Sequence, residues 1–183
     1  MHAKRAITRR RPTGFTIIEM IATIVILAIV GSLVSSILMS ATSGYSRGAT
    51  AAQLHGELSM ALDRVDRELR EIELDQAAAS TAPDISAMTA SSITWNTDCS
   101  LSLSGSNLML TMNGGTAAVL LSNVTAFTLA AYNESNTALA ASLSGSACDP
   151  IRRLSVQITT QRYGVTESLR TRVFLRCTVE NAG

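Results

Sequence analysis

The chain has 183 residues, a formal net charge of +1 and 46% hydrophobic residues, a size that suits one compact domain with an appended element. Charge is unevenly placed: residues 1–14 carry Lys4, Arg5, Arg9, Arg10 and Arg11 and no acid, while the rest carries ten arginines, no lysine and fourteen acids. Such asymmetry points to a targeting leader followed by an exported body, and with no basic patch backed by aromatics evident in that body, nucleic-acid contact is not expected.

Phe15 to Met39 is a run of 25 residues in which Glu19 is the sole charge. At about 1.5 Å per residue a helix of that length reaches roughly 37 Å, enough to cross a hydrocarbon core of about 30 Å. The arginines precede the run, which puts the N-terminus on the cytoplasmic side and the body across the membrane. A secretory signal has an apolar core of about 7–15 residues and a small-residue cleavage site after it, and this run is longer. A twin-arginine reading of Thr8-Arg9-Arg10-Arg11 leaves Glu19 unexplained, and a plain signal-anchor helix is the competing structural reading. A carboxylate in a membrane helix costs a few kcal/mol and calls for a partner. The apolar run holds no base; an α-amine created at residue 15 by proteolysis would serve, within one chain or from a neighbouring one.

Gly14-Phe15-Thr16-Ile17-Ile18-Glu19, behind a short basic leader, resembles the cleavage and methylation motif of type IV prepilins and type II secretion pseudopilins. The resemblance implies that a prepilin peptidase cuts between Gly14 and Phe15 and N-methylates Phe15. It also implies that Glu19 pairs with the N-terminus of an adjacent subunit during assembly. Many major pilins carry a helix-breaking proline about twenty residues into the mature chain; here Gly31 and nearby serines stand instead.

After Met39 the chain turns small and polar over residues 40–50; Gly44, Gly48 and Gly56 are weak points, and local melting is expected near residues 42–50. Helical periodicity resumes with Leu54, Leu58, Ala61, Leu62, Val65, Leu69 and Ile72 on one stripe. The opposite side carries Asp63, Arg64, Asp66, Arg67, Arg70, Glu71 and Glu73. Residues 77–91 read as a linker, broken at Pro83. Short apolar runs then predict strands at 92–96, 101–103, 107–112, 117–121, 124–131, 153–161 and 168–177, with an Asn113-Gly114-Gly115 hairpin turn. In the last two, Leu154, Val156 and Ile158 alternate with polar residues, and Arg170, Arg172 and Arg176 share a face. This pattern predicts a one-sided antiparallel sheet packed on a helix.

The predicted fold is thus α+β, a long N-terminal helix on an antiparallel β-sheet body. The segments are a cytoplasmic leader (1–14), a transmembrane assembly helix (15–40), an amphipathic stalk helix (41–76) and a globular β domain (77–183). The segments QLHGELSMALDRVDRELREIE and NLMLTMNGGTAAVLLSNVTAFTLAAYN resemble the larger minor pseudopilins and minor pilins. That resemblance implies a pilin-like subunit near a filament tip, working with prepilin peptidase, other pilins and an inner-membrane assembly platform. It also implies a single-pass inner-membrane protein with an extracytoplasmic body.

An enzyme is not expected. His2 lies in the leader and His55 on the polar side of the stripe, and no nucleophile–base set can be placed. Asp63, Asp66, Glu71 and Asp75 have helical rather than loop spacing, so no metal site or cofactor is expected. Of three cysteines, Cys177 lies on the apolar face of its strand, whereas Cys99 and Cys148 lie in polar, turn-rich stretches; a Cys99–Cys148 disulfide is the preferred pairing. The reading from a different class is a membrane-anchored binding protein that does not polymerise.

Overall fold

The computed structural model describes residues 14–76 and 82–176. Residues 1–13 of the leader, the first part of the expected linker and Cys177 lie outside the described residues. The fold is α+β: one long helix, α1 (Ile17–Arg70), followed by antiparallel strands. Residues up to Ser46 form one unit and residues from Arg47 onward a second, compact one.

α1 is helical without interruption, including the stretch at 42–50 where melting was expected. Its hydroxyls explain how polar residues fit there. Thr23, Ser32, Thr42 and Ser43 donate back to the carbonyls of Met20, Ile29, Leu38 and Ser40, at 2.8–3.0 Å. Each satisfies its own polar group within the helix, at the cost of a slight bending tendency.

In the second unit, Leu54, Leu58, Ala61, Leu62, Val65 and Leu69 of α1, and Ile72 just beyond it, are all buried. This is the stripe set by three- and four-residue spacing. Glu68 is also buried, and the Arg64 guanidinium reaches its carboxylate at 2.7 Å. The helix ends where Asn96, left-handed at φ 47°, turns its side-chain amide to the chain beyond Arg70. Its Oδ1 accepts from the Glu73 N–H at 3.0 Å and its Nδ2 donates to the Glu71 carbonyl at 3.4 Å.

The strands are β1 (Ile85–Met88), β2 (Ser92–Trp95), β3 (Cys99–Ser104), β4 (Asn107–Thr111), β5 (Ala118–Leu121), β6 (Val124–Tyr132), β7 (Leu143–Ser144), β8 (Arg153–Arg162) and β9 (Val165–Phe174). They form two sheets rather than the single one expected, in the orders β5-β4-β3-β2-β1-β7 and β6-β8-β9. The division falls at Ser122-Asn123, where Asn123 is left-handed at φ 59°. The Val124 N–H then bonds the Ser106 carbonyl, and β6 pairs with β8 instead of β5. Two pieces lay outside the predicted strands: β1, inside the expected linker, and β7, followed by a 3-10 turn at Gly145–Cys148. The Asn113-Gly114 turn is present, both residues at positive φ (50° and 66°), and the Gly115 N–H closes it on Met112 at 2.9 Å.

Inner-facing residues of both sheets and the α1 stripe form one core, including Trp95, Leu101, Leu108, Phe127, Leu154, Val156 and Ile158. Leu58 is fully buried at its centre, and Leu58→Ala is expected to destabilise the body by about 2–5 kcal/mol. Urea unfolding of the detergent-solubilised chain, followed by the fluorescence of its single tryptophan, Trp95, measures this. Asp84 carries a smaller, pH-dependent liability: burial first, then the charges of Asp75 and Glu73, push its carboxyl above its usual range. A raised acid is held less well as a carboxylate by the folded state, so stability falls as pH rises through its titration. Asp84→Asn should therefore raise the urea midpoint at pH 7 and lose that advantage near pH 3.

Candidate functional site

The start of α1 gathers the residues singled out by the sequence. Gly14, Phe15 and Thr16 precede the first helical residue, Ile17. Thr16 is the N-cap, and its carbonyl accepts the Met20 N–H at 3.1 Å. Its hydroxyl accepts the Glu19 N–H at 3.3 Å. In return Glu19 Oε2 accepts both the Thr16 N–H and the Thr16 hydroxyl, each at 3.0 Å. This is a reciprocal capping box, which satisfies donors that a helix start leaves orphaned. The carboxylate also sits at the positive end of the helix dipole, a favourable placement for an anion. Glu19 was expected to find its partner in a terminal amine; the structure provides a set of partners within the chain. The Thr-x-x-Glu spacing ahead of an apolar run is the signal that carries this.

Gly14 and Phe15 stand clear of the described structure. Phe15 is 79% exposed, and a Cβ built on Gly14 would meet nothing within 4 Å. Nothing among the described residues requires glycine at position 14.

From Ile17 to Met39 the large apolar side chains are uncovered, with Ile17, Leu27 and Ile37 among the most exposed. After Glu19 there is no charged residue until Arg47. An 18-residue window here has a mean hydropathy of 2.6, so α1 is long and apolar enough to cross a membrane. A contiguous apolar surface of this extent is not sustained in water and marks contact with lipid or other helices.

The body offers little that is reactive. Beside α1 a groove of about 350 Å³ is lined by Glu57, Met60, Val119, Leu121 and Arg162. Its two ionisable groups are paired, Arg162 donating to both Glu57 oxygens at 2.9 and 3.1 Å. That guanidinium holds the Glu57 carboxyl below its usual range. His55 is exposed. Asp66 pairs with Arg70 at 2.7 Å, and among the described residues no three potential metal ligands converge.

Cys99 and Cys148 are both free thiols, so the expected bridge between them is not formed. The two stand on separate elements, with β2 and β1 lying between β3 and the 3-10 turn. Cys99 begins β3 opposite Trp95, its Sγ facing Asn113 Oδ1 at 3.9 Å, whereas Cys148 ends the 3-10 turn. Each fills a place in the apolar core rather than a loop, despite the polar residues around it in sequence. Burial, and then the charge of Asp149, push the Cys148 thiol up, away from the reactive thiolate.

Comparison with protein-family models and with curated proteins finds no match to this chain. Without added reductant, iodoacetamide should label Cys99 and Cys148 completely in urea and little in the folded chain. Peptide mass spectrometry reads both, and a Cys99–Cys148 linked peptide would contradict the free thiols.

Proposed function

We propose that the chain is a pilin-like assembly subunit, of the minor pseudopilin or minor pilin type, which acts as a structural component and not as an enzyme. A prepilin peptidase removes the leader after Gly14 and methylates Phe15. The subunit then joins other pilins through its N-terminal helix on an inner-membrane platform, near the tip of a filament, with its body outside the cytoplasm. The observation that carries this reading is the carboxylate of Glu19, three residues into a helix that is otherwise uncharged as far as Arg47, behind an accessible Gly14–Phe15 peptide.

The chemistry is consistent at each step. Cleavage would leave an ammonium at Phe15, one residue before the Thr16 N–H that Glu19 already accepts. An ammonium at the positive end of a helix dipole is unfavourable, and a carboxylate beside it offsets that cost. In lipid the incentive is larger, because an unpaired charge there costs several kcal/mol. A neighbouring subunit's amine relieves the same carboxylate only when two helices lie side by side, so the pairing rewards assembly. Apolar residues between Ile17 and Met39 would then be covered by other helices instead of lipid.

Mass spectrometry of the mature N-terminus should find a chain that begins at N-methylated Phe15. An intact leader would sink the proposal and leave a membrane-anchored binding protein. Glu19→Gln separates the two roles of the residue, because glutamine also completes a capping box but carries no charge. It should be cleaved normally and incorporated as poorly as Glu19→Ala, scored by the fraction of subunit recovered in sheared filaments.

A further inference from the structure

The three-stranded sheet turns Leu154, Val156 and Ile158 into the core; on its other face Gln157, Arg170, Arg172 and Phe174 are exposed, while Ser155 is buried. Pairing aligns Tyr132 of β6, Arg153 of β8 and Phe174 of β9 in one row across that face, and Ser155 with Arg172 in the next. Arg170 reaches back from β9, its Nε donating to Ser155 Oγ at 2.8 Å. The Arg153 guanidinium lies 5.1 Å from the Phe174 ring centroid, and that of Arg172 lies 5.1 Å from the Tyr132 ring. Arg153 also donates to Asn136 Oδ1 at 3.1 Å and to the Glu134 carbonyl at 3.4 Å.

All these partners are neutral. Among the described residues the arginines paired with carboxylates are Arg64, Arg70 and Arg162, on α1 and at the end of β8. Arg153, Arg170 and Arg172 are therefore oriented by rings, a hydroxyl and amide groups, and no described carboxylate pairs with them, although Asp63 and Asp66 line a groove that Arg170 also lines. Side chains ordered in advance lose less entropy when an anion arrives. A guanidinium fits phosphate oxygens bidentately, and its planar face can stack on a base.

We propose that this face binds single-stranded nucleic acid, the phosphodiester lying along the arginines and bases stacking on the guanidinium and ring planes. Three features favour this ligand. Arg170 and Arg172 are two residues apart on one strand, about 6.8 Å, or twice the ~3.4 Å rise of a stacked strand. The exposed groups stand on a sheet face, which suits splayed bases; a duplex groove is read by a projecting helix or ribbon. The same face carries Gln157, Thr128 and Thr159, neutral groups able to bond bases or phosphates, where an acidic protein partner would need cations alone. Nucleic-acid contact was not expected from the sequence because Tyr132, Arg153 and Phe174 lie twenty-one residues apart and meet only through strand register. Binding at this face is independent of whether the chain polymerises.

The test is fluorescence anisotropy with the full chain in detergent micelles and a fluorescein-labelled oligo-dT of about 20 nucleotides. Arg170→Gln/Arg172→Gln should bind about tenfold more weakly, with a log–log salt slope shallower by about 1.4. Arg47→Gln/Arg67→Gln removes the same charge from exposed arginines on α1 and should bind like the wild type. Equal loss in both pairs, or no binding by the wild-type chain at low salt, would overturn the proposal. So would binding of duplex DNA or heparin as tight as that of oligo-dT. Photocrosslinking of a bromodeoxyuridine oligonucleotide to the wild-type chain needs no variant to fold; adducts should map to peptides containing Tyr132 or Phe174, and adducts confined elsewhere would refute it.

Discussion

The burial of the stripe from Leu54 to Ile72 is the interaction on which the body depends, because it fixes the second half of α1 as one wall of the core. Each large residue of that stripe contributes about 1.5–3 kcal/mol by leaving water. The surface ion pairs of the same helix, such as Asp66–Arg70, are screened by water and contribute far less. Packing therefore decides where the helix lies, and the charges decorate what remains. The flanks show the limits of the contact. Ala61 and Met60 meet β5 residues at one groove, and Leu62 and Asp66 meet β9 residues at another. A helix seated between the edges of two sheets explains why both turn their apolar faces to one core.

The same helix obeys a different rule before Ser46. There the described side chains are exposed, and apart from Glu19 they are large apolar, small or hydroxyl-bearing. Four of the hydroxyls bond back to the helix, which satisfies those polar groups locally. Glu19 is the exception in charge but not in satisfaction, since Thr16 engages it by three hydrogen bonds.

Much of this architecture was legible because burial writes a period into the sequence. The stripe of α1 and the alternation of Leu154, Val156 and Ile158 are repeats of 3.6 and 2, and both appear where expected. What stayed hidden was set by single residues or by register. Ile85–Met88 is too short, and too rich in small residues, to stand out from the loop around it, yet Ile85 and Met88 are buried. Asn123 diverts the chain into a second sheet by one left-handed dihedral, and Asn96 closes the helix from across the fold. The capping box was readable from Thr16 and Glu19 alone. The row of Tyr132, Arg153 and Phe174 was not, because no local pattern encodes which strands become neighbours.

Two buried, unbonded thiols have a consequence for how the body is made. Folding around Cys99 and Cys148 includes no oxidation between them, so it waits for no oxidant or isomerase, and a reducing compartment leaves this part of the core intact. The core around these two residues is therefore set by packing rather than by redox poise.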